Sequence, residues 1–230
     1  MKKIFNSENL LKFVFFTFIG SIVYIVIRIV LAPAVAPNSD GAIRIKSDYV
    51  LMLLQCSMGL LAMLIPGILK RTKQINIPSV MLIMYAVFLY CAIYLGEVRN
   101  FYFTVPHWDT ILHTFSGVAL GALGFSLVSF INKSESLHLF LSPFFVALFA
   151  FSFAISLGVI WETYEFAVDS IFRTNMQKFA LENGEQLVGQ AALADTMKDL
   201  IVDMAGAFVM SVIGYISLKY KKGWLERLFK

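Results

Sequence analysis

The chain has 230 residues, of which 59% are hydrophobic and only 15% charged, and its net charge is +4 at neutral pH. Soluble domains carry about a quarter of their residues as charges, so this composition excludes an ordinary soluble globule. The positive balance does not mark a nucleic-acid binder either. The basic residues lie in short segments between long apolar runs, which is the pattern of membrane topology.

The start Met1-Lys2-Lys3 leads into an apolar stretch too long for a cleavable signal and without a small-residue cleavage site, so it reads as a first span. Six runs of bilayer-crossing length stand in order, at approximately Leu11 to Ala34, Val50 to Leu69, Ile77 to Leu95, Thr110 to Ile131, Leu137 to Trp161 and Leu200 to Leu218. Backbone groups in lipid must pair within their own segment, so each run predicts a helix. The fold class is therefore all-α, a polytopic bundle of six transmembrane helices forming one domain over residues 1–230.

Lys2, Lys3, Lys12, Lys70, Arg71, Lys73, Lys133, Lys219, Lys221, Lys222, Arg227 and Lys230 fall at one set of span ends; Arg44, Lys46, Arg99, Arg173, Lys178 and Lys198 fall at the other. The positive-inside bias puts the first set, and with it both termini, in the cytoplasm. The longest connection, about Glu162 to Asp195, then lies outside and carries the turn signal Asn183-Gly184. Gly117-x-x-x-Gly121 followed by Gly124 forms a small-residue stripe that lets a neighbouring helix approach closely. Cys56 and Cys91 fall inside spans without a CxxC motif and read as small apolar fillers.

Ionisable groups in or beside spans are expensive and are functional candidates. Span four opens with Asp109 and His113, four apart on one helix face; span five ends with Glu162 and Glu165, three apart; span six opens with Asp195, Asp199 and Asp203 at steps of four. The topology places all three clusters at the outer membrane face. Hard carboxylates with an imidazole suit a divalent ion such as zinc, manganese, iron or magnesium, with Asp109, His113, Glu162, Glu165, Asp195 and Asp199 as candidate ligands. Glu162, Glu165 and Asp203 are the candidate catalytic acids or bases. Plainer roles compete: Asp109 and Asp195 as N-caps, Glu162 and Glu165 as solvated interface residues, His113 as a satisfied buried histidine. Asp203, some 12 Å along a helix from Asp195, is the hardest to explain blandly. Arg28, in the outer third of the first span, either snorkels outward, pairs with an acid, or holds a phosphate headgroup.

Asp109-x-x-x-His113-x-x-x-Gly117, Trp161-Glu162-x-x-Glu165 and Asp195-Thr196-x-x-Asp199 with Gly206 resemble the bacterial YjdF-type inner membrane proteins and, more distantly, the VanZ-like superfamily. The last motif of that superfamily, Asp-x-x-x-Asn-x-x-Gly, is similar to Asp199-x-x-x-Asp203-x-x-Gly206, with Asp in place of Asn; Glu165 stands where its pattern has Gln. Both departures add negative charge. The match covers spans four to six. It implies a multi-pass protein of the bacterial inner membrane and, by analogy with the glycopeptide resistance of some VanZ-like proteins, envelope chemistry.

Three function classes follow. One is a metal-dependent hydrolase acting on a lipid or lipid-linked envelope precursor, since no G-x-S-x-G nucleophile is present. The second is an ion- or proton-coupled transporter, although no inverted repeat is visible. The third is a non-catalytic membrane protein whose polar cluster fixes helix packing. Membrane lipid is the expected partner in all three, and nucleic acid in none.

Overall fold

A computed structural model of the chain describes residues 7–34, 44–73, 77, 79–132, 141–181 and 184–224. Of the topology and turn residues named above, Lys2, Lys3, Lys133, Asn183, Arg227 and Lys230 lie outside this set, as do residues 137–140 at the start of the fifth run. The helices are α1 (Ser7–Leu31), α2 (Lys46–Lys73), α3 (Ser79–Leu89), which runs on as a π-helix over Tyr90–Val98, a short α4 (Phe101–Thr104), α5 (Trp108–Asn132), α6 (Pro143–Phe172) and α7 (Gln190–Lys219). Six of them are long and apolar enough to cross a bilayer, α3 together with its π-helical continuation counting as one. Among the described residues there is no strand, only an isolated antiparallel bridge between Ala180 and Gln186. The all-helical, multi-pass fold expected from hydropathy is what the chain adopts.

Two helices extend well past the apolar runs that predict them. α6 continues through Glu162 and Glu165 to Phe172, and α7 begins at Gln190, ten residues before the run at Leu200. Hydropathy reports which residues suit lipid, whereas a helix continues as long as its backbone bonds are satisfied. α6 starts where local chemistry demands: Ser142 Oγ accepts from the Phe145 backbone N–H at 3.2 Å, and Pro143 takes the first helical position, where its missing N–H is not needed. Asp195 sits inside α7, so it does not cap that helix.

The chain divides into two compact units, residues 1–108 with 168–192 and residues 109–167 with 193–230. In the first, Phe18, Tyr49, Met52, Cys56 and Ile93 form a core where α1 packs on α2 and α3. Gly59 sits under the Phe18 and Ile93 side chains, with no room for a Cβ. Pro66 lies inside α2 and has no N–H to give to the carbonyl of Ala62, one turn back. The Tyr85 hydroxyl of α3 donates to that carbonyl at 2.8 Å, so the group that Pro66 leaves open in an apolar setting is satisfied by a neighbouring helix. The Arg44 guanidinium donates to the Val98 and Glu97 carbonyls at 3.0 and 3.3 Å, closing the C-terminus of the π-helix. Arg28 Nε donates to the Tyr49 hydroxyl at 3.0 Å and its guanidinium lies 5.3 Å from the centre of the same ring. Asp169, near the end of α6, organises the loop that follows: its carboxylate accepts from Thr174 Oγ1 at 2.6 Å, from the Met176 N–H at 2.7 Å and from the Gln177 N–H at 2.9 Å.

In the second unit the small residues expected to permit close approach do so. A Cβ at Gly117 would collide with the backbone carbonyl of Asp203, and one at Gly206 would lie 2.5 Å from the Thr114 carbonyl oxygen. α5 and α7 therefore touch backbone to backbone, glycine on each side. Gly121 meets Met210 of α7, and Gly124 meets Ala150 of α6. Phe125, Val146, Ala150 and Met210 make up the apolar core of this unit.

Candidate carboxylate and histidine centre

His113 is the hub of the second unit. It lies on α5 one turn after Asp109, and the close approach of α5 and α7 at Gly117 and Gly206 brings the first half of α7 against it. Its Nδ1 is 3.1 Å from Asp203 Oδ2, while Nε2 faces Asp109 Oδ1 at 3.6 Å and Asp199 Oδ2 at 3.9 Å. Asp203 Oδ1 is 2.6 Å from Ser116 Oγ, which also lies 2.8 Å from the His113 carbonyl oxygen. On α6, Gly158 leaves room for the Asp203 carboxylate, since a Cβ there would stand 3.0 Å from Asp203 Oδ2.

Glu162 and Glu165 enter from α6. Ligand atoms of His113, Glu162 and Glu165 lie within 4.8 Å of one another, and those of Asp109, His113 and Asp199 do likewise. The two groups share the imidazole. Glu162, Glu165, Asp199 and Asp203 are all at least nine-tenths buried, while Asp109 and His113 are half-buried. Both oxygens of Glu162 are buried without a well-formed hydrogen bond, although the Thr196 hydroxyl is close enough to interact. Two ionised carboxylates with oxygens within 4.8 Å of each other repel by on the order of 3 kcal/mol or more even at an effective dielectric of about 20. An acidic group this dense and dry calls for cations or shared protons.

Asp109, His113, Glu162, Glu165, Asp199 and Asp203 thus converge as their helical spacing and common membrane level suggest. Asp195 is half-buried one turn before Asp199 and lies close enough to influence Glu162, but joins neither group of ligand atoms. Arg28 belongs to the other unit, where Tyr49 engages it. Sequence reading missed Ser116, and it quoted Thr196 within a motif without giving it a role. A serine three residues after a histidine is an ordinary helix residue until the neighbouring helix is in place.

The fold and this centre define a multi-pass helical membrane protein with a carboxylate and histidine cluster built from three of its span-length helices. The chain belongs to the family described as "Predicted membrane protein (DUF2238)", which it matches over residues 17–220. It is also similar to an uncharacterized protein of Thermotoga maritima, 28% identical over 163 residues, which are 70% of this chain and 76% of the relative. No solved structure matches the chain.

Proposed function

We propose that the protein is a divalent-metal-dependent hydrolase of the bacterial inner membrane, acting on a lipid or lipid-linked envelope precursor. The observation that supports this best is the convergence of one imidazole and four carboxylates, from His113, Asp109, Asp199, Glu162 and Glu165, at a largely buried spot. One nitrogen with several hard oxygens is a donor set for zinc, manganese, iron or magnesium. Such an ion supplies Lewis acidity and the activation of water at neutral pH. In this reading Asp109, His113 and Asp199 hold the ion. Glu162 and Glu165 stand beside them to take the proton from the attacking water and return it to the leaving group. The basic-residue count supports cytoplasmic termini, which sets the centre toward the outer face, where envelope precursors are consumed. The VanZ-like resemblance supports the same setting by analogy.

A second reading has its own support: carboxylates face both ring nitrogens of His113, an arrangement that also serves proton relays in carriers. Elemental analysis of the detergent-purified protein separates the two. At least one tightly held divalent ion per chain, lost in His113→Ala, is the expected result. A wild-type protein free of metal that carries protons across liposome membranes would replace the hydrolase with the carrier.

A further inference from the structure

The geometry points to Asp203 and Ser116 as positioning residues that fix the His113 ring with Nε2 as its metal-binding nitrogen. The inference rests on the metal reading above and deepens it. Three observations carry it. Asp203 Oδ2 is 3.1 Å from Nδ1, while Asp109 Oδ1 and Asp199 Oδ2 lie on the Nε2 side. With Asp203 as the acceptor, the Nδ1 contact is an N–H donated to it, and in the neutral ring the lone pair then lies on Nε2. Asp203 is itself held: its second oxygen is 2.6 Å from Ser116 Oγ, on the turn of α5 that follows His113.

The serine has one hydrogen and two acceptors in range, Asp203 Oδ1 at 2.6 Å and the His113 carbonyl oxygen at 2.8 Å. Shared between them, or given wholly to Asp203, it ties the carboxylate to the same helix that carries the histidine. A histidine ligand oriented by a carboxylate on its second nitrogen is a general device for fixing tautomer and ring angle and raising ligand basicity. Asp203 is then neither a ligand nor a catalytic acid, and its place eight residues beyond Asp195 follows: it must reach the far side of the ring. Gly158 and Gly117 are the openings that admit its side chain and its backbone.

The test uses the full-length protein in detergent, labelled with 15N in its histidine rings, and Zn2+ as the probe. His113→Ala assigns the signal. The expected wild-type ring carries its proton on Nδ1 when neutral and binds Zn2+ through Nε2. Asp203→Asn preserves shape but its amide can donate to Nδ1 and drive the proton to Nε2. It should bind Zn2+ about 10–100-fold more weakly with unchanged stoichiometry. Ser116→Ala should shift affinity in the same direction by less, and Asp203→Glu should recover part of the loss without restoring ring geometry fully. An unaltered size-exclusion profile shows that the variants fold. Wild-type Zn2+ affinity in Asp203→Asn, or a wild-type ring protonated on Nε2, overturns the positioning role and leaves the metal centre standing. Complete loss of the ion in Asp203→Asn would make Asp203 a ligand, which also overturns the inference. No Zn2+ bound by the wild type overturns the metal reading, and the inference falls with it.

Discussion

Gly206→Ala tests whether backbone contact between α5 and α7 builds the centre. The added Cβ would lie 2.5 Å from the Thr114 carbonyl oxygen and 3.1 Å from the Val118 nitrogen, where ordinary contact begins near 3.4 Å. These are backbone atoms of a helix and cannot swing aside as a side chain would. Relief requires α5 and α7 to part locally by about 1 Å, a distance set by the difference between the clash and ordinary van der Waals contact. Overpacking of this kind lowers stability by about 1–3 kcal/mol. Asp203 sits just one turn before Gly206, so the same displacement stretches its 3.1 Å contact with His113 out of hydrogen-bond range, which ends near 3.2 Å for N–H···O. Thermal unfolding in detergent and Zn2+ titration should therefore fall together. Gly20→Ala is the matched control. Gly20 has nothing within 4 Å of where its Cβ would be, so the change should be neutral or stabilise α1 by up to about 1 kcal/mol through helix propensity. A Gly206→Ala protein with unaltered stability and Zn2+ affinity would refute the argument, as would a Gly20→Ala protein harmed to the same degree.

Further outcomes follow from the same geometry. Asp109→Ala should lower Zn2+ affinity sharply while Asp195→Ala has little effect, since only Asp109 contributes to a group of ligand atoms; equal losses in a titration would refute that division. Bound metal should be retained at neutral pH and released as the pH falls, because protons compete for the imidazole and carboxylate ligands; dialysis across a pH series that shows no acid release would count against His113 as a ligand. Asp169→Ala should loosen the segment after α6, since two backbone N–H groups and the Thr174 hydroxyl lose their acceptor, each at about 1–3 kcal/mol if left buried and unsatisfied. Limited proteolysis of the purified protein should then cut within residues 173–181, and resistance equal to wild type would show that the loop holds without it. A reporter fused after Lys230 should be active only in the cytoplasm; activity on the outer side would reverse the proposed orientation and set the centre toward the cytoplasm.

The sequence by itself determined the solvent. Runs of about 20 apolar residues have no use in a soluble globule of this size, and lipid leaves helix as the structure in which each run satisfies its own backbone. It also determined which acids share a face, because helical periodicity is a property of spacing alone, and it marked Gly117, Gly121 and Gly124 as places of close approach. Only the tertiary structure decided which faces meet. The rotation of α7 about its axis depends on Gly206 lying against Thr114 and Val118, and that rotation places Asp199 on the Nε2 side of His113 and Asp203 on the Nδ1 side. A rotation of α7 by one residue, about 100°, would turn both acids off the His113 face while leaving every apolar run unaltered. Ser116 becomes a partner only once Asp203 is delivered, and the Tyr85 hydroxyl has an open carbonyl to bond only because Pro66 leaves one in the helix packed beside it. The ends of α6 and α7 were equally hidden from hydropathy: Glu162, Glu165, Asp195 and Asp199 suit water as residues, yet they are helical because hydrogen bonding along the backbone does not stop where the apolar run does.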